Sequence, residues 1–173
     1  MIELRPARWD DLCLLPTWIT SPEQLRIWAG PSLPWPLTEP ALRAYADQPS
    51  DVQLIWTAVT VPHAEPVGHA CLLVREGGSQ GRLSRVLVDP ARRGEGLGRA
   101  LVATAVRTAF AATGIDTLTL GVYRHNVAAV RLYESGGFTE GGRAPAAFEV
   151  DGERWTAIEM VLTRDGRNGE DPG

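Results

Sequence analysis

In "LGRALVATAVRTAFAAT" (97–113), Leu97 and Leu101 lie four apart, and Val102, Val106 and Phe110 repeat that spacing. This period predicts a helix with an apolar face, closed by Gly114. On both sides the pattern shifts toward β-rich, partly alternating runs. "IELRPA" predicts an opening strand, and "VQLIWTAVTV" and "PVGHACLLVRE", joined by "PHAE", predict an antiparallel pair. "GGSQG" is a turn, and "RLSRVLVDP" is a further strand ended by Pro90. Beyond the long helix, "DTLTLGVY" reads as a strand and "NVAAVRLYESGG" as a helix capped by Asn126. "AAFEV" and "ERWTAIEMVL" then form a hairpin turned at Asp151-Gly152.

Nearer the start, "WDDLCLLPTWI" predicts a short helix that Pro16 kinks or stops. In "SPEQLRIW", Ser21 and Gln24 have capping-box spacing and Pro22 takes the first helical position. After the proline-rich loop "AGPSLPWPL", Thr38 caps a helix through "EPALRAYADQ". The order of strand, helices, strands, helix, strand, helix and hairpin predicts an α/β or α+β domain, a mixed sheet with helices on its faces. No repeat or linker divides it. Residues 1–164 read as one domain and the polar stretch 165–173 as a disordered tail.

Composition narrows the partners. Across 173 residues the net charge is −4, which argues against a nucleic-acid surface and mildly favours cationic or amine substrates. All 17 basic residues are arginine. Cys13 and Cys71 form no disulfide framework and suit a reducing compartment. With no signal-peptide pattern and no apolar run long enough for a membrane, the expected location is cytoplasmic.

Candidate chemistry begins at "RRGEGLGRAL" (92–101). Gly94, Gly96 and Gly98 precede the long helix, where backbone N–H groups and the helix dipole favour a phosphate. A P-loop needs Lys followed by Ser or Thr, and Arg99-Ala100 stands there instead. The dinucleotide fingerprint fails because the glycines are spaced by two throughout. A third pattern, strand, turn and [Q/R]-x-x-G-x-[G/A], is met by Arg93, Gly96 and Gly98. A second motif is "NVAAVRLYESGGF", where Asn126 and Tyr133 share one helical face. Each residue alone could be a cap or a core tyrosine.

Together the two motifs, on consecutive β–α units, resemble the GNAT superfamily of N-acetyltransferases, in its RimJ/RimL-like or RimI-like branch. "LRPARWDDL" and the closing "VDGERWTAIEMVL" are similar to the family's first and last segments. The resemblance implies a mostly antiparallel sheet that splays near its middle, with helices on both faces, and acetyl-CoA in the cleft. Carried over by position, it implies that Leu87 and Val88 meet the pantetheine arm and acetyl carbonyl through their backbone. It implies that Arg93, Gly94, Glu95, Gly96, Leu97, Gly98 and Arg99 wrap the pyrophosphate. Asn126 would contact the cofactor arm, and Tyr133 would act as general acid at the sulfur.

The implied reaction is direct transfer of acetyl to a primary amine, of a protein N-terminus or a small molecule. RimI-like members carry a glutamate twelve residues before the tyrosine, where this chain has Gly121. Deprotonation would then use ordered water, or Tyr123, His69 or Glu76. Trp28 and Trp35 are candidate acceptor-site walls, competing with a packing role beneath the helices. Glu149, Asp151 and Glu153 could meet a cation or simply form a solvated tip. His69 and Cys71 share a strand face without a third ligand, His125 reads as a loop residue, and His63, His69 and His125 lack metal spacing, so no metal is expected. Competing readings are a non-catalytic acyl-CoA-binding sensor and a toxin-type enzyme acting on aminoacyl-tRNA. A homodimer through the last strands is a further expectation.

Overall fold

The computed structural model describes residues 1–47, 52–74, 78–141 and 146–168. Strand β1 (Ile2–Pro6) leads into α1 (Trp9–Leu12), α2 (Leu15–Trp18), α3 (Pro22–Ala29) and α4 (Glu39–Ala46). Strands β2 (Val52–Thr60), β3 (Pro66–Val74) and β4 (Gln80–Val88) follow, then α5 (Leu97–Thr113), β5 (Thr117–Tyr123) and α6 (Val127–Ser135). The chain continues through β6 (Thr139–Glu140), β7 (Ala146–Val150), β8 (Glu153–Thr163) and α7 (Arg164–Asn168). The strands form one sheet in the order β1-β2-β3-β4-β5-β8-β6, with β7 also pairing β8. Every pairing is antiparallel except β4 with β5.

That exception creates the cleft. β4 and β5 pair only at residues 80–82 with 117–119 and then separate. On the other side of β4 the register against β3 slips, from Cys71 opposite Ser84 to His69 opposite Leu87. The extra residue is a β-bulge containing Arg85 at φ 51, and a bulge bends its strand. Among the described residues, the backbone of β4 beyond Arg82 therefore has β3 on one side and no strand on the other.

Apolar side chains separate onto the two faces. Leu101, Val102, Ala105, Val106 and Ala109 of α5 pack with Leu118, Leu120, Ile158 and Met160 on one face. Leu15, Ile19, Leu25, Trp28, Leu42 and Tyr45 of the early helices fill the other. Helices cover both faces, as the resemblance implies.

Several local readings are adjusted. The break in "WDDLCLLPTWI" falls before Pro16, which lies in the first turn of α2, where its missing N–H leaves no bond unmade. Ser21 accepts from the Gln24 amide at 3.2 Å, but Gln24 Oε1 accepts from the Thr20 amide, one residue before the capping-box partner. Thr38 occupies the N-cap without a side-chain bond. The polar stretch from 165 begins as helix α7, because the Arg164 guanidinium donates to the Phe110 and Ile115 carbonyls and the Gly166 amide donates to Thr163 Oγ1.

The early helices are tied to the sheet by Asp11, buried at the α1 terminus. Arg5 grips its carboxylate with two bonds, 2.6 and 2.9 Å, and the Arg8 amide donates a third at 2.7 Å. Burial pushes the Asp11 carboxyl up, but the bonds from Arg5 and Arg8 outweigh it and hold it below its ordinary value. A depressed folded value stabilises above the unfolded pKa of about 3.9 and is lost as pH falls through the folded one. Asp11→Asn should therefore cost about 1.5–3 kcal/mol at neutral pH. Urea denaturation across pH should show this difference shrinking toward the acid end.

Candidate active site

A cavity of about 810 Å³ opens where β4 and β5 diverge, and a second of about 310 Å³ lies against it. They share walls at Trp28, Arg85 and Gly121–Tyr123, so they form two halves of one cleft.

The larger half is built around the start of α5. Gly94 and Gly96 have φ of 86 and 77, backbone that only glycine adopts readily, and an added Cβ on either would meet open space. Gly96 is the N-cap and supplies no side-chain acceptor, so the first N–H groups of α5 are left for a ligand. Arg93, Gly94, Gly96, Leu97, Gly98 and Arg99 line this half. Glu95 does not: Arg92 Nε and Nη2 hold its carboxylate at 2.8 Å, and that bond lowers its pKa. Arg92, which sequence reasoning missed, lines the cavity in its place. With three arginines and no carboxylate among the described residues lining a free helix N-terminus, and with Glu95 held by Arg92 outside that wall, the residues present fit a pyrophosphate.

Leu87 and Val88 line the same half from the unpaired edge of β4. Asn126 lines it too, while its Oδ1 accepts the Ala129 amide at 3.3 Å, so it is both a cap and a wall residue. Tyr133, about two turns further along the same face of α6, packs edge-on to Phe138 with centroids 6.0 Å apart and is only 9% exposed. Burial pushes its phenol up to about 12. Among the described residues its hydroxyl has no hydrogen-bond partner, which leaves a protonated donor at the cavity wall.

The two tryptophan candidates separate. Trp28 is buried, lines both halves and donates Nε1 to the Arg85 carbonyl at 2.8 Å. Trp35 is 44% exposed in its loop and lines neither half. Beneath Trp28, Tyr45 and His69 Nε2 share a 2.9 Å hydrogen bond. Burial first, then the Arg85 charge, lowers the His69 pKa to about 3, and burial pushes the Cys71 thiol up. Both are buried packing groups outside the cavity walls. Glu76 lies outside the described residues.

Tyr123 lines both halves, with its phenol pushed up by burial. It stacks on His125 at 5.7 Å and meets Trp155 edge-on at 5.0 Å, while Phe148 on the hairpin closes the smaller half. His125, Phe148 and Trp155 form an aromatic cluster around Tyr123 that local sequence patterns do not announce, since it spans three elements. Glu149, Asp151 and Glu153 line neither half. Gly121 does, and the space beside it is taken by Arg82: a Cβ there would lie 2.7 Å from Arg82 Nη2.

This geometry has relatives. Residues 22–138 match the model of the acetyltransferase (GNAT) family. Over 70 residues, 40% of this chain and 42% of the relative, the sequence is 37% identical to YwnH of Bacillus subtilis (strain 168), provisionally named a phosphinothricin acetyltransferase. Over 84 residues, 49% of this chain and 25% of the relative, it is 43% identical to the mycothiol acetyltransferase of Thermobispora bispora. Both matches span less than half of the relative's length. The fold is similar to that of the Vibrio cholerae spermidine N-acetyltransferase solved with CoA and spermine, at TM-score 0.77 and 18% identity over 95% of this chain and 96% of that one. These relatives do not single out a RimJ/RimL-like or RimI-like branch. An uncapped helix start ringed by arginines, an unpaired strand edge and a buried tyrosine share one cleft, and with the match over 22–138 they show that the chain belongs to the acetyltransferase (GNAT) family.

Proposed function

We propose that the protein is an acetyl-CoA-dependent N-acetyltransferase that moves acetyl to a primary amine by direct attack. One observation carries this reading: Tyr133, a protonated and unpartnered phenol, shares a cavity with the uncapped N-terminus of α5 and its arginines. Arg92, Arg93, Arg99 and the first amides of α5 would hold the phosphates. Asn126 and the open edge of β4, with Leu87 and Val88, would align the pantetheine arm. Acetyl-CoA supplies an acetyl thioester, whose carbonyl is activated by a backbone N–H of β4. Tyr133 gives its phenolic proton to the departing sulfur.

Among the described residues no carboxylate lines either half of the cleft, so the acceptor ammonium loses its proton to water or to the imidazole of His125. The named relatives act on small molecules, which favours a small-molecule amine over a peptide N-terminus. A sensor that only bound acyl-CoA would have no use for an unpartnered phenol at the sulfur.

Calorimetry with acetyl-CoA, beside thiol release measured with an amine panel, tests this reading. One cofactor per chain and amine-dependent release are expected. Binding without release to any amine would favour the sensor, and no binding would overturn the proposal.

A further inference from the structure

We propose that the acceptor is a compact amine that also carries a carboxylate or an equivalent oxyanion, and that Arg82 and Arg85 read that acid group. This rests on the acetyltransferase reading and names its substrate class.

The cleft has a charge the chain as a whole does not. Net charge is −4, yet the charged side chains lining the two halves are Arg82, Arg85, Arg92, Arg93 and Arg99, with no aspartate or glutamate among the described wall residues. The last three surround the start of α5 and are accounted for by phosphates. Arg82 lines the smaller half alone and Arg85 lines both halves, and neither belongs to the loop at the start of α5. Its other walls are apolar or aromatic apart from Ser84 and glycine backbone.

Arg82 has donors to spare. From β4 its side chain crosses β5 through the space that Gly121 leaves open. Its one hydrogen bond to a described residue is a long one, Nη1 to Glu159 Oε2 at 3.4 Å, and the side chain is 46% exposed. Glu159 stands opposite Gly121 in the β5–β8 register, so it steers the guanidinium over the glycine and leaves most of its fork open. That planar fork matches a carboxylate or phosphonate in two-point contact.

Arg85 supplies a fixed second charge. Its guanidinium lies 4.6 Å over the Tyr45 ring, and Nη2 donates to Ser32 Oγ at 3.2 Å. The Trp28 indole holds the backbone of the same residue. A polyamine or aminoglycoside would bring several ammonium groups against two guanidiniums, with no carboxylate among the described wall residues and Glu159, behind Arg82, already engaged by it. An amino acid brings an acid group for Arg82 and leaves its amine free to face the Gly121–Tyr123 wall, which both halves share.

Thiol release from acetyl-CoA tests this with matched acceptors: the common amino acids and an aminoalkylphosphonate, each beside its amide or ester and its decarboxylated amine, with spermidine and kanamycin in the same series. At least one acid should exceed its neutral counterpart about tenfold or more in kcat/KM, the value of one charge-assisted contact. Arg82→Gln should cut that acid's kcat/KM about tenfold, mainly through KM, and draw the acid-to-amide ratio toward one. Gly121→Ala, which displaces the guanidinium but keeps its charge, should lower the same ratio part of the way. Calorimetric acetyl-CoA binding by each variant reports whether the cofactor half is intact. Equal use of acids and amides, a preference for spermidine or kanamycin, or no release with any anionic acceptor by a protein that binds acetyl-CoA would each overturn the proposal. Failure to bind acetyl-CoA would instead overturn the acetyltransferase reading, and this inference with it.

Discussion

Tyr133→Phe should lower kcat by about 10²–10³-fold, the range of a positioned general acid, while acetyl-CoA affinity measured by calorimetry changes little. The substitution removes one oxygen and keeps the ring that meets Phe138 edge-on, so the fold has no reason to respond. The hydroxyl has no protein partner among the described residues, so no hydrogen bond elsewhere is lost. What disappears is the proton for the departing sulfur. Burial places the phenol near 12, above an ordinary thiol at about 8.5, but the same desolvation raises the thiolate as its bond to carbon breaks. The raised value also sets the pH dependence. Tyr133 stays protonated throughout the working range, so kcat/KM should rise with pH as the acceptor ammonium ionises, with no fall from Tyr133 below about pH 10. A loss under fivefold in the variant would remove Tyr133 from the chemistry.

The parts of the site that lie within one stretch of chain are readable in the sequence. Glycine spacing, the arginines beside it, the Asn126 cap and the Tyr133 position sit on two consecutive β–α units, and local periodicity fixes their faces. The parts assembled across strands are not. The cleft depends on a bulge at Arg85, whose positive φ no glycine announces. The Arg82–Glu159 pair joins residues 77 apart, over a Gly121 that reads in sequence only as a missing glutamate. Trp28 and Trp35 looked equivalent as loop-flanking aromatics. Trp28 shares the apolar face of α3 with Leu25 and is drawn under the bulge, whereas Trp35 stays outside. Glu95 shows the converse: it stands inside a readable motif, but Arg92, three residues before it, takes its charge.

Gly96→Val should weaken acetyl-CoA binding by about 10²-fold, the loss expected if one or two charge-assisted backbone contacts go. The reason is backbone conformation and not space. Gly96 sits at φ 77, where an L-residue costs about 1–2 kcal/mol, although nothing lies within 4 Å of the added Cβ. The chain can relieve this strain only by rotating the turn that precedes Leu97. The Ala100 amide, which donates to the Gly96 carbonyl at 3.2 Å, would then lose its acceptor, and the free amides of the first turn would lose their common direction. Because α5 is anchored along its length by Leu101, Val102, Ala105 and Val106, the disturbance should stay at the helix start. Denaturation should therefore show a loss of only about 1–2 kcal/mol while calorimetry shows the large loss of affinity. An affinity that fell no further than stability does would mean that the amides of α5 do not carry the phosphates.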